Sequence, residues 1–427
     1  MMPHMAPGAS TLRKPSAASH QTAASWCCVQ SGHRERYGVA RALLRAGRLE
    51  RLITDLWVPP GSALSAWAKG PVGRRLRDRY DPEIPAARVA DAGLRSLSWE
   101  LLARLRGLAG SDRVLARNAW WGRVAAGLLG SAAGASTRFV FGYCYESLPV
   151  FRAARQRGLV PILGQMDPGP AEDAKVADVV ARWPGYSTPF RPGSRDYYER
   201  WSEECALAGR IVVNSDWSRA ALEQAGVAPA KIAVCPLVYT PPPEASLHTR
   251  SFPERFSASR PLRVLFLGQC ILRKGIAETL EAARALAGRP VEFTLVGNTD
   301  IADLPRHFGD ARVRRFERVT RSECHAFYRE ADLFLLPTHS DGFGLTQLEA
   351  QAWGLPLIAS RFCGQVVEDG RTGWVLPEVS SSAILAALDE VLAHPERLAE
   401  RSLAIRPWPY GLDQLAADLC TVANEAA

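Results

Sequence analysis

Short apolar runs alternate with stretches of helical period on both sides of a proline-rich break near the middle of the chain. Runs of four to seven Val, Ile, Leu and Phe-rich residues, bounded by Gly, Pro, Asn or Asp, read as strands buried on both faces. In the first half these are residues 25–31, 52–58, 139–145, 160–166, Arg210–Val213 and 232–236, with helices predicted over 39–46 and 217–225. Residues 66–135 lack the rhythm and read as mostly helical and basic, with Trp67, Trp99, Trp120 and Trp121. There Leu97, Leu101, Leu102, Leu105 and Leu108 fall on one helical face. Such a stripe is expected to be core, with a membrane-surface helix as the alternative.

The second half repeats the pattern. A strand at 263–267 precedes a helical run at 276–286, and strands Leu333–Leu336 and Leu357–Ser360 flank a shorter helix. Five strand–helix units are expected from residue 262 to about 395, which implies a parallel sheet. Pro241, Pro242 and Pro243 and the polar residues up to Arg260 read as a linker. The predicted organisation is a disordered leader (1–24), an amino-terminal domain (25–240), a linker (241–261), a carboxy-terminal domain (262–405) and a final segment (406–427). That segment holds an amphipathic helix around 412–423. The fold class is α/β, with two doubly wound domains.

At 427 residues and 47% apolar content, with a mean hydropathy of −0.09, the chain is long enough for two sizeable cores. No run approaches the ~20 apolar residues of a spanning helix; the nearest, 124–135, is largely Ala and Gly. Residues 1–24 have no apolar stretch of the signal-peptide kind. Nine cysteines without a Cys-x-x-Cys pair argue against a disulfide framework or zinc site and for a reducing cytoplasm. Charge is uneven: residues 1–250 hold 33 basic and 21 acidic groups, a surplus of 12, whereas the remainder is acidic by 4 (19 against 23). The basic half suits an anionic partner, or peripheral contact with the inner membrane face.

Two segments carry candidate chemistry. In residues 331–360 a polar loop with Asp341 leads through Gly342, Phe343 and Gly344 into a helix bearing Glu349. Glycines let backbone N–H groups approach an anion at a helix start, and two carboxylates nearby suit hydroxyls. Upstream, Gly268 opens a loop that ends Arg273-Lys274-Gly275 before a helix, an arrangement that grips phosphate. It lacks the Gly-Lys-Ser/Thr of a P-loop. Only five of 52 cationic residues are Lys, and Lys274 is the sole lysine after residue 231. A compact ammonium suits a crowded diphosphate.

The first segment resembles the donor signature of the glycosyltransferase family four group of GT-B enzymes, E-G-F-G-x-x-x-x-E followed by G-x-P. Gly342, Phe343, Gly344, Glu349, Gly354 and Pro356 match, with Asp341 at the first Glu. The second resembles that family's G-R-x-x-x-x-K-G loop, with Gln269 at the Arg position. The likeness runs from about residue 205 to 400; before that it holds only in outline. Met166-Asp167 stands where many members carry His-Asp, and Ser31-Gly32-His33 replaces a Gly-Gly loop.

The resemblance implies a GT-B fold, two Rossmann-like domains facing across a cleft. It implies a retaining transferase moving sugar from a nucleoside-diphosphate sugar to a glycan, lipid-linked or small hydroxyl acceptor. Lys274 and Arg273 would neutralise the leaving diphosphate, Asp341 would contact the sugar and Glu349 the ribose, with Gly268, Gly342, Phe343, Gly344 and Leu345 lining the donor site. No Asp-x-Asp exists, so neither metal nor cofactor is expected, and no nucleic acid partner. His33 and Asp167 are acceptor-side candidates, the first otherwise an ordinary loop histidine and the second a turn cap. His339 is placed to flank the sugar. A glycosyl phosphorylase and a non-catalytic nucleotide-sugar binder remain alternatives. A nicotinamide oxidoreductase is disfavoured, because no G-x-G-x-x-G follows a strand.

Overall fold

Residue 25 begins the first of thirteen parallel strands in the computed structural model, which describes residues 24–67, 76, 78–317 and 319–426. The expected leader lies outside the described residues except for residue 24. The first sheet comprises β1 (Ser25–Gln30), β2 (Leu49–Thr54), β3 (Val89–Asp91), β4 (Thr137–Tyr143), β5 (Val160–Gly164), β6 (Arg210–Val213) and β7 (Ile232–Val234). Its order is β3-β2-β1-β4-β5-β6-β7. All six residues of β1 are buried, as a central strand covered on both faces requires. The second sheet holds β8 (Leu262–Leu267), β9 (Val291–Val296), β10 (Val313–Phe316), β11 (Leu333–Leu336), β12 (Leu357–Ser360) and β13 (Gly373–Leu376), in the order β10-β9-β8-β11-β12-β13.

Both sheets reverse direction once, between β1 and β4 and between β8 and β11. Ligands of such sheets bind outside the carboxyl ends of the strands that flank the reversal. The two loops singled out from sequence follow β8 and β11, so topology alone brings Lys274 and Asp341 to one place.

Several expectations need correction. The second strand sits at Leu49–Thr54 rather than 52–58, because the Asp55 carboxylate leaves the ladder to bind the Gly32 N–H at 2.8 Å. β3, too short to read, lies in the stretch expected to be helical. Six strands, not five, build the second sheet; β9 and β10 are joined through only the short 3₁₀ turn Leu304–His307, and β12 and β13 without a helix. The linker is a packed strap: Arg250 donates to the carbonyls of Ala331 (2.6 Å) and Trp353 (2.7 Å) and to that of Tyr328, closing the ends of two helices. Burial pulls its guanidinium down to about 10. The leucine stripe is not core: Leu101, Leu102 and Leu105 are exposed.

The final helix, Leu412–Ala426, crosses back to the amino-terminal domain. Leu415, Leu419 and Val422 enter the amino-terminal core beside Ala40 and Leu43. Among the described residues, no helix is long and apolar enough to cross a membrane.

Candidate active site

A cavity of about 410 Å³ opens between the domains at the two reversal points. Gly268, Gln269, Arg273 and Lys274 line it from the loop after β8, and Asp341, Phe343, Gly344 and Leu345 from the loop after β11. Facing them from the first domain are Arg34, Glu35, Met166 and Asn214.

The two carboxy-terminal loops are locked together by backbone. Gly275 has φ +75°, and a Cβ there would stand 2.0 Å from the Pro337 carbonyl oxygen. Only glycine allows that approach. Lys274 is thereby held against Asp341, and their side chains form an ion pair. Burial pulls the Lys274 ammonium below the usual lysine range, against the pull of Asp341. Burial would raise Asp341, but Lys274 and Arg273 together hold it below the usual carboxylate range. Arg273 donates to the Ser340 carbonyl at 2.7 Å and keeps one edge on the cavity.

Domain contact is built beside this pair. Glu172, from the helix Pro170–Arg182, lies 3.5 Å from the Arg273 Nε and accepts the Ser340 hydroxyl at 2.8 Å. Burial raises its carboxyl to about 7. Trp217 donates to Ser340 Oγ at 3.1 Å, and the Ser215 hydroxyl donates to the Gly342 carbonyl at 2.6 Å. Lys175 stands 3.7 Å over the Phe362 ring. Gly342 is forced to be glycine by this contact, since its Cβ would meet the Met166 carbonyl oxygen at 2.1 Å. It thus serves domain contact, a role different from the ligand approach expected of it.

Not every expected residue reaches the cavity. Glu349 accepts the Tyr328 hydroxyl at 2.7 Å, half-buried behind the lining. His33 is exposed on the outer side of its loop, while its neighbours Arg34 and Glu35 turn inward. Asp167 accepts from Tyr145 Oη (2.6 Å), Gly169 N (2.9 Å) and Gln165 Nε2 (3.0 Å), a turn-capping arrangement. His339 lies 2.8 Å from Glu278, both buried behind the loop rather than beside the cavity.

Glu35, Arg34, Asn214 and Glu172 were missed. Glu35, Arg36 and Tyr37 are three successive left-handed residues, with φ of 48°, 51° and 56°. Such conformations cost energy in non-glycine residues and tend to mark functional sites. Burial raises the Glu35 carboxyl, which accepts the Tyr143 hydroxyl at 3.0 Å. Nothing in the local sequence announces that strain; the one available cue was position, since these residues follow the strand that flanks the reversal.

Residues 261–394 match the family described as glycosyl transferases group 1. The carboxy-terminal domain is thus similar to the group 1 glycosyl transferases, and the two parallel sheets with flanking helices are those of the GT-B fold. Among similar proteins, D-inositol 3-phosphate glycosyltransferase of Geodermatophilus obscurus is 31% identical over 251 residues, 52% of this chain and 54% of that protein. A GDP-mannose-dependent alpha-(1-6)-phosphatidylinositol monomannoside mannosyltransferase of Mycolicibacterium smegmatis is 31% identical over 187 residues, 40% and 48% of the two chains. The matches thus span about half, or less, of the curated relatives' length. Two solved structures share the fold over nearly the whole chain. The catalytic domain of starch synthase IV from Arabidopsis thaliana, bound to ADP and acarbose, has a TM-score of 0.65 at 12% identity, covering 95% of this chain and 99% of that one. Anabaena HepE in complex with UDP-glucose has a TM-score of 0.58 at 13% identity, covering 94% and 99%.

Proposed function

We propose that this protein transfers a sugar, with retention of anomeric configuration, from a nucleoside-diphosphate sugar to a hydroxyl of an anionic, glycan or lipid-linked acceptor. The observation that carries the reading is the convergence of Lys274, Arg273 and Asp341 on one interdomain cavity at both reversal points. The bond from the anomeric carbon to the leaving phosphate oxygen breaks, and the acceptor oxygen bonds to the same face. The acceptor proton passes to the departing phosphate oxygen, so no separate base is required. Lys274 and Arg273 stabilise the charge that develops on the diphosphate, a preorganised electrostatic contribution. With those cations beside the diphosphate, turnover requires no divalent metal.

Acceptor binding falls to the first-domain wall. Arg34 supplies positive charge there, and Glu35, whose carboxyl burial raises, faces the cavity beside it. An anionic acceptor is in keeping with the basic surplus of this half, and with the inositol 3-phosphate named for one relative. Nine free thiols suit a reducing cytoplasm.

A thermal-shift screen against nucleoside-diphosphate sugars tests donor binding, since a ligand of the folded state raises its melting temperature. The stabilising donor is then incubated with candidate acceptors in EDTA, and the product anomer is read by NMR. Stabilisation and a retained anomer are expected. No stabilisation by any donor overturns the reading; an inverted product overturns retention, and activity restored only by Mg²⁺ or Mn²⁺ overturns metal independence.

A further inference from the structure

The helix Leu94–Leu105 is amphipathic with its apolar side outward. Its buried residues are the small Ser96 and Ala103. Leu94 (74%), Leu101 (60%), Leu102 (49%) and Leu105 (74%) are exposed. At about 100° per residue these four leucines cover roughly 100° of arc, opposite the buried pair. The next helix, Gly110–Ala132, adds exposed Val114 and Leu115. Six of the eight large apolar residues exposed among the described residues therefore lie on one hairpin. Scattered exposed leucines need no explanation, but a contiguous patch of this kind marks a binding surface.

The charges around it are of one sign. Arg95, Arg104, Arg106 and Arg123 are exposed, and none forms an ion pair among the described residues. Of the two acids on the hairpin, Glu100 is engaged by Arg113 and Arg117, which leaves Asp112 at a helix start. Trp99 and Trp120 stack at 5.6 Å between centroids, both half-buried at the rim of the patch. Apolar centre, arginine rim and interfacial indoles match the boundary of a bilayer with anionic headgroups. A second copy of this chain would instead bring arginines against arginines.

The hairpin is also tied to the cleft. Arg117 pairs with Asp55, which binds the Gly32 N–H at the head of the loop carrying Arg34 and Glu35. The surface thus sits at the same end of the sheet as the acceptor wall.

We propose that the hairpin 94–115 docks the protein on an anionic lipid bilayer, with its leucines in the acyl boundary and its arginines on the headgroups. The test is co-sedimentation with vesicles of phosphatidylcholine alone or with about a third phosphatidylglycerol, at low and high salt. The protein should bind the anionic vesicles about tenfold or more tightly than the neutral ones, and lose that preference in high salt. Leu101→Glu/Leu105→Glu, and separately Arg104→Glu/Arg106→Glu, should each weaken binding about tenfold or more, with melting temperature unchanged because the side chains are exposed. The proposal is overturned if the anionic vesicles do not bind, if both variants bind like the parent, or if the leucine variant instead dissolves a dimer seen by sedimentation velocity. Vesicle binding is read without substrate, so the outcome is independent of the transfer reaction proposed above.

Discussion

Lys274 and Asp341, 67 positions apart, form an ion pair that joins the loop after β8 to the loop after β11 on the wall of the cavity. From sequence, one was assigned to the diphosphate and the other to the sugar, as independent contacts. Their pairing makes them one electrostatic unit, in which each opposes the burial that would neutralise the other. Removing one member of such a pair leaves an uncompensated buried charge, which is more damaging than losing a surface pair.

Lys274→Ala therefore should act twice, on the diphosphate and on the ionisation of Asp341. We expect kcat/KM for the donor to fall about 10²-fold or more, the loss typical of a preorganised charge-stabilising group. The acidic limb of its pH profile should move upward, because Asp341 loses the cation that holds its carboxyl down. Steady-state kinetics across pH checks both; an unchanged donor kcat/KM removes Lys274 from the phosphate role.

Division of labour between the two carboxylates is testable by calorimetry. Glu349→Gln should weaken binding of free nucleoside diphosphate, whereas Asp341→Asn should spare that affinity and reduce transfer. Glu349 lies behind the cavity lining, beside Tyr328, so its effect on the nucleotide is the more exacting half of the test. Equal weakening by both substitutions refutes the assignment.

Gly342→Ala places a methyl where the Met166 carbonyl stands, 2.1 Å away. Each domain should fold normally, but the interface should be pushed apart by about an ångström or more, enough to cost about 10²-fold in turnover through misplacement. Small-angle scattering with kinetics checks this. Undiminished turnover would show that this interdomain contact is dispensable for catalysis.

Glu172 gives the interface a pH dependence. Its carboxyl is raised from the ordinary 4.5 to about 7, chiefly by burial, so the folded state holds a proton that the unfolded chain has released. This stabilisation is fully present below about pH 4.5 and is lost as pH rises towards and through 7. Glu172→Gln keeps a neutral partner for Ser340 at every pH. Its melting temperature relative to the parent should therefore be higher at pH 8 than at pH 5. A pH-independent difference would place the shift elsewhere.

Much of this was legible in residue order. Short apolar runs alternating with helical stretches specify parallel sheets, because buried strands must be apolar on both faces and their connections must cross over. Glycine and lysine spacing around Lys274 and Asp341 located the loops, since phosphate-gripping loops need small residues and cations at fixed offsets. The helix Leu412–Ala426 was visible as an amphipathic stripe, but the domain that buries its apolar face was not. Other features exist only once the chain is folded. Glu35 became a wall residue through three strained backbone conformations, and Glu172 through a neighbour on the other domain, which local pattern does not encode. The outward leucines of Leu94–Leu105 are the clearest case. A helical stripe shows that leucines share a face, but which way that face points is decided by what packs against the other side, here Ser96 and Ala103, whose small side chains let the helix lie close to the domain.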